Sequence, residues 1–365
     1  MDLLYNYTIP PFSVNGIELN KDIWENIRRP EIMRLFSENL YGKTPDKIPD
    51  TVFYEIAEDN PIDRGGKNHF RKIWISMYFG NEEIKLEVHS WTPFGNGPFP
   101  VQLMVDPFEY ALMANRDFSY RYSRFPSDYI TDRGYAAVKV LTSTICMDNE
   151  REYRKGIIEC LSSDLETDNQ YEWGAIGAWA WATSRCIDYL ETQSYYDTSK
   201  IAISGCSRAG KTALWCAAQD SRIAVVMSNV SGTFGSAILR GKNGEHIEDG
   251  FPFWYCKKLR EYLHNEDALP IDGHMLLAMA APRPLYMASA TDDIWADNDA
   301  EYKSLFLCSE IYRLYYPDIF LPDHKPAPNT QLHIGSIGYH LRKGKHGLTY
   351  YDWNHFMDFC DCYLM

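Results

Sequence analysis

Ser207 is the residue whose neighbours most suggest chemistry. It lies in residues 204–212, SGCSRAGKT, after a β-branched run at 200–203 and before a small-residue helical stretch at 213–218. Strand, tight glycine-bearing turn and helix form the context in which a serine becomes a nucleophile elbow. Gly205 and Gly210 leave space where side chains would collide with neighbouring strand and helix, and Ser207 takes the apex. A serine hydroxyl is a weak nucleophile until a base takes its proton, so the turn matters because it exposes the oxygen. The pattern departs from G-x-S-x-G: Ala209 occupies the second glycine position and Gly210 comes one residue later. Alanine is small enough for such a turn. An ordinary strand-to-helix connection would read the same way, because short patterns carry false positives.

If Ser207 is a nucleophile, it needs a histidine and an acid. In the α/β-hydrolase arrangement they follow the serine in chain order, acid first. The acid belongs just after a late strand. The run PLYMASA leads into TDDIWADND, which offers Asp292, Asp293, Asp297 and Asp299. We choose Asp293, because a few residues are needed to turn the carboxylate towards the base; the competing role is capping of the next helix. Asp297, nearer that helix, is the better cap. Three histidines follow: His340, His346 and His355. His346 stands in a glycine-rich loop, RKGKHGLT, suited to presenting a side chain at the strand ends. His355 falls in an apolar helical run, NHFMDF, and reads as packed; His340 is too close to the strand. The base takes the serine proton while the acid fixes its tautomer. With no H-E-x-x-H, C-x-x-C or P-loop pattern, we expect neither metal nor cofactor.

The elements that must position these residues read as one α/β chain. Its 365 residues are 45% hydrophobic and 24% charged, enough for a large core in one elaborated domain. The net charge of -14 argues against a nucleic-acid or anionic-membrane partner. No stretch approaches 18 uninterrupted apolar residues, so none should span a membrane. Nine cysteines leave at least one unpaired, and the first residues lack the basic and apolar regions of a signal peptide. Together these favour a reducing cytoplasm, although a chain with its leader removed would read alike. Tyrosine and tryptophan are abundant, at 26 and 10; such rings line carbohydrate clefts but more often sit in or beside a core.

Residues 24–41 predict a helix interrupted or restarted at Pro30 and closed by Gly42 and Pro45. Strands are expected at 52–56, 73–78 and 84–91, the last two joined by a hairpin at Gly80–Asn81. Further strands are expected at 98–105, 135–141, 200–203, 223–227, 284–290 and 334–339, and helices at 173–190, 213–218 and 301–315. An aromatic, arginine-rich segment fills 106–134. This alternation implies an α/β-hydrolase fold: a mostly parallel central sheet with helices on both faces and antiparallel leading strands. We expect a single domain over 1–365, with an N-terminal extension at 1–50 and an insertion at 231–281, ahead of the acid-bearing strand.

Six blocks resemble bacterial glucuronoyl esterases. They are WENIRRPEIMRLFSENLYGKTP at 24–45, WGAIGAWAWATSRCIDYLET at 173–192, GCSRAGKTALW at 205–215, LPIDGHMLLAMAAPRP at 269–284, ASATDDIWAD at 288–297 and GYHLRKGKHGLTYYDW at 338–353. The resemblance implies a serine carbohydrate esterase that cleaves 4-O-methyl-glucuronate esters on xylan without a metal. It makes Ser207 the nucleophile and His346 the base. Arg208 is implied to donate its backbone N–H, and its guanidinium, to the oxyanion. Lys211 resembles the lysine that binds sugar hydroxyls, and Trp295 and Glu245 resemble pocket residues, with Glu248 a rival for the latter. Trp254 either lines the same pocket or anchors the insertion. Two departures matter. Val230 stands where some members carry the triad glutamate, which strengthens Asp293 and leaves Asp292 as its alternative. Asp106 and Pro107 replace a glycine- and asparagine-containing loop beside the oxyanion site. Other possibilities are a small-acyl carbohydrate esterase and a catalytically silent carbohydrate binder.

Overall fold

The computed structural model describes residues 9–13, 18–63, 68–107, 124–162, 169–240, 243–249 and 251–365. Ten strands join in one sheet among them, and their order explains where chemistry can sit. They are β1 (Thr51–Ile62), β2 (Asn68–Phe79), β3 (Glu82–Thr92), β4 (Phe99–Asp106) and β5 (Ala136–Leu141), then β6 (Tyr196–Cys206), β7 (Ile223–Asn229), β8 (Leu285–Ala290), β9 (Gln331–Ile334) and β10 (Ile337–Arg342). The sheet runs β1-β2-β3-β5-β4-β6-β7-β8-β10-β9. Six strands from β5 to β10 pair in parallel. The leading strands β1 to β3 and the last neighbour, β9, pair antiparallel. Parallel strands send all their C-terminal ends to one edge, where the loops of an open α/β sheet gather ligands.

Successive side chains on a strand face opposite layers, and β6 displays this directly. Ile201 and Ile203 join one core with Trp173, Trp179 and Trp215, whereas Ala202 and Cys206 join a second with Trp353 and Phe356. The first layer is built by the helices α1 (Arg29–Phe36), α2 (Ala175–Glu191), α3 (Arg208–Gln219), α4 (Gly273–Ala278) and α5 (Asn298–Arg313). The second is built by α6 (Tyr350–Leu364) together with a short helix at Ser127–Asp132 that contributes Ile130. Burial on both faces accounts for the near-continuous apolar character of the central strands.

The helical run restarts at Pro30, which stands in the first turn of α1: a π turn, Trp24–Arg28, precedes α1 and a second, Ser37–Tyr41, follows it. The wider turn ahead of the proline, closed by the Arg29 N–H on the Trp24 carbonyl, accommodates a residue that lacks a donor. The expected last strand at 334–339 is a hairpin instead. Gly335, at φ 54°, reverses the chain between β9 and β10. The apolar pattern runs straight across that turn, which is why it reads as one strand. The elbow strand is also longer than expected, because Ser204, Gly205 and Cys206 continue its ladder with β7.

Candidate active site

Ser207 separates the end of β6 from the start of α3 and holds φ 62°, ψ −129°. A non-glycine residue in that region stores on the order of 1–3 kcal/mol, which the surroundings must offset. The Ser207 N–H donates to the Asn229 carbonyl at 2.9 Å, at the end of β7. Its own carbonyl accepts from Gly210 and Lys211 at 2.8 and 3.1 Å, opening α3. The two glycines are required by close approach. A Cβ on Gly205 would lie 2.1 Å from the Ala209 carbonyl oxygen, and one on Gly210 would lie 2.9 Å from Ser228 Oγ and Ser231 Cβ. Ala209 itself is fully buried at the elbow. Burial pushes the neighbouring Cys206 thiol up to about 12, so it stays protonated at neutral pH and does not compete as a nucleophile.

The loop after β8 carries the four candidate aspartates, and the structure separates their roles. Asp293 is buried, its Oδ2 2.6 Å from His346 Nδ1 and its Oδ1 accepting from the Ala296 N–H at 3.2 Å. Asp292 is exposed and accepts from Thr291 Oγ1 at 2.8 Å. Asp297 caps α5 by accepting from the Ala300 N–H, as expected, and Asp299 pairs with Lys325 at 2.6 Å. Of the histidines, His340 is buried within β10 and bonds Asp352 at 2.9 Å. His355 lies on α6, its ring 4.9 Å from that of His340. His346 keeps 43% of its side-chain surface exposed. The loop bearing it hangs on Arg342, whose Nη2 donates to the carbonyls of Lys345 and Gly347 at 3.0 and 2.9 Å. The Arg342 Nε in turn donates to both oxygens of Asp352, at 3.1 and 3.0 Å.

Ser207, Asp293 and His346 line one cavity of about 310 Å³. Among the described residues no hydrogen bond joins the serine hydroxyl to the imidazole; such contacts are commonly long in a free enzyme and tighten with substrate. The same cavity is lined by Arg208, Lys211, Glu245, Trp254 and Trp295. Lys211 Nζ donates to Glu245 Oε2 at 2.8 Å, with each side chain only 3% exposed. A buried ion pair is weak evidence for stability, since desolvation offsets its attraction. Its ammonium and carboxylate together can donate to and accept from sugar hydroxyls. Glu248, the rival, pairs instead with His264 at the surface. The Trp254 ring packs beneath both cations, 5.1 Å from the Arg208 guanidinium and 5.6 Å from Lys211 Nζ. Trp295 is half-exposed, and its carbonyl accepts from the Glu245 N–H at 3.1 Å. Val230, at φ 40°, also lines the cavity and offers no carboxylate there.

Sequence reasoning missed three residues here. Asp148 accepts from Trp254 Nε1 at 2.8 Å, and its other oxygen lies 2.5 Å from Arg208 Nε. That second contact is an ion pair rather than an aligned hydrogen bond. Phe251 stacks on Trp254 with 4.1 Å between ring centroids and lines the cavity. Glu301, fully buried on α5, accepts from the Gly232 N–H at 3.0 Å and from Ser236 and Ser289 hydroxyls at 2.6 Å each. Nothing in the local sequence marks any of the three. Asp106 ends β4, where it is buried and pairs with Arg124 and Lys139 at 3.5 and 3.6 Å. The loop beyond Pro107, where a second oxyanion donor is expected, lies outside the described residues at 108–123.

A strained serine between strand and helix, an acid after a later parallel strand and a histidine after the last one define a serine hydrolase of the α/β-hydrolase fold. A family model described as "Glucuronyl esterase, fungi" matches residues 133–315. "Carbohydrate esterase MZ0003", from an unknown prokaryotic organism, is 31% identical over 98% of this chain and 90% of that protein. The solved glucuronoyl esterase from Solibacter usitatus is 29% identical, covers 98% of both chains and superposes with a TM-score of 0.88. The 4-O-methyl-glucuronoyl methylesterase of Podospora anserina is 34% identical over 35% of this chain and 30% of its own length. The chain belongs to the glucuronoyl esterase family and is a carboxylic ester hydrolase.

Proposed function

We propose that the protein hydrolyses esters of 4-O-methyl-glucuronic acid carried on xylan-type oligosaccharides, through an acyl-enzyme on Ser207. The observation that carries this reading is the single cavity shared by the elbow serine, the His346–Asp293 pair and the buried Lys211–Glu245 pair. His346 takes the Ser207 proton as the hydroxyl oxygen attacks the ester carbonyl, and returns it to the departing alcohol. Asp293, bonded to Nδ1, keeps the other ring nitrogen as the acceptor and stabilises the imidazolium. The backbone N–H of Arg208 meets the oxyanion; such a donor contributes roughly 3 kcal/mol to the transition state. Water then attacks the acyl-enzyme by the same route in reverse. Lys211 and Glu245 hold the sugar hydroxyls, while Trp254 and Trp295 supply flat apolar surface against the ring.

Turnover of benzyl glucuronate is the test. The wild type should hydrolyse it, and Ser207→Ala should abolish the activity. Faster turnover of 4-nitrophenyl acetate than of the uronate ester would replace this substrate with a small acyl group. Failure of a fluorophosphonate to label Ser207 would remove the nucleophile altogether.

A further inference from the structure

Among the described residues, each cation that lines the cavity is held against a carboxylate. Lys211 meets Glu245 at 2.8 Å, and Arg208 meets Asp148 at 2.5 Å. Asp148 is itself fixed by the Trp254 indole N–H, and its side chain is only 8% exposed. With Asp293 added, the formal charges that the described residues place around the reacting position are two positive and three negative. That balance is unexpected in a site whose product is an anion. The ester is neutral at its reacting carbonyl. Once water breaks the bond between acyl carbon and Ser207 Oγ, the serine regains its proton and the freed acid loses one to solvent, so a carboxylate now stands beside Arg208. An unopposed guanidinium would hold that carboxylate strongly, by charge and in a fork geometry.

We infer that Asp148 is a specificity-determining residue that cancels the charge of Arg208, so that the cavity favours the neutral ester and sheds the uronate product. The inference rests on the uronate-ester reading above. A role confined to holding Arg208 in place does not require a charge: the Trp254 face already packs against the guanidinium. Burial makes the carboxylate's field count, because low surrounding polarisability and exclusion of salt screen it less than at a surface.

Two competitive inhibitors of benzyl glucuronate hydrolysis test this at pH 7: the methyl glycoside of 4-O-methyl-glucuronic acid and its neutral carboxamide. In the wild type the acid should inhibit about tenfold more weakly than the amide, a difference of about 1.4 kcal/mol. In Asp148→Asn, which keeps the shape and an acceptor for Trp254, the acid should bind about tenfold more tightly while the amide changes less than about twofold. Two results would overturn the inference: a wild type that binds the acid more tightly than the amide, or an Asp148→Asn enzyme with the wild-type ratio. The first needs no variant, so a failure of Asp148→Asn to fold leaves the inference open to refutation. A wild type that does not turn over uronate esters removes the substrate reading and this inference with it. Normal turnover with the wrong inhibitor ratio removes the inference alone.

Discussion

Two histidine–aspartate pairs draw their histidines from β10 and from the loop that follows it, and they have opposite properties. His340 is wholly buried, with Nε2 bonded to Asp352 at 2.9 Å and Nδ1 bonded to the Tyr286 hydroxyl at 2.9 Å. Its network assigns the proton to Nε2 and the acceptor lone pair to Nδ1. Among the described residues His346 is tied only at Nδ1, to Asp293 at 2.6 Å, and much of its ring is exposed at the cavity. A base needs an uncommitted nitrogen and a path for substrate, and only the second pair has both. A histidine beside an aspartate is therefore not a catalytic signature by itself. What the other ring nitrogen does decides the matter.

The comparison is broken most forcefully at His346. His346→Ala should lower kcat by about 10⁴–10⁶-fold with little change in unfolding temperature. A thermal melt that moves together with the activity would contradict the division. Asp293→Asn should cost about 10⁴-fold in kcat through the wrong tautomer, whereas Asp292→Asn should stay within about twofold of the wild type. Rate measurements on the two variants, side by side, decide which aspartate serves.

The interior pair should respond in the other currency. Asp352→Asn leaves Arg342 buried without its carboxylate, so denaturant unfolding should show a loss of about 3–5 kcal/mol. Burial acts to raise the Asp352 carboxyl, but His340 and Arg342 outweigh it and hold it below its ordinary value. Stability from this group is therefore present above the ordinary carboxylate range and lost as pH falls through the depressed value. Asp352→Asn should flatten that acid limb. The smaller of the two stability effects concerns Glu301. Burial pushes its carboxyl up to about 7 from 4.5, against three hydrogen bonds that favour the charge. The folded protein thus holds a proton that the unfolded chain releases, and the stability this gives is full below about 4.5 and lost as pH rises towards 7. Relative to Glu301→Gln, the wild type should lose on the order of 3 kcal/mol between pH 4 and pH 8, read from denaturant midpoints.

The elbow was legible because its signal is local. Gly205 prevents an overlap with Ala209 inside the same turn, which a short window contains, whereas the atoms that crowd Gly210 most closely, on Ser228 and Ser231, come from further along the chain. His346 was legible for a related reason, since glycines at 344 and 347 free the loop around it. The sheet followed from apolar runs bounded by turn residues, except where a run crossed Gly335 without a break in pattern. Asp148 was invisible: its partners lie 60 and 106 residues further along the chain. A carboxylate in the polar stretch MDNERE carries no mark of a tryptophan and an arginine that only folding brings to it. Glu301 is hidden by the opposite circumstance, since it occupies a helix's first turn, where an acid is ordinary.

Arg342 gives the two pairs a common fate. One guanidinium grips the interior carboxylate with Nε and, with Nη2, the two carbonyls on either side of His346. The imidazole proposed as the base is thereby suspended, through one guanidinium, from a fully buried acid. A change that loosens that acid or the guanidinium would be passed directly to the loop that carries the imidazole.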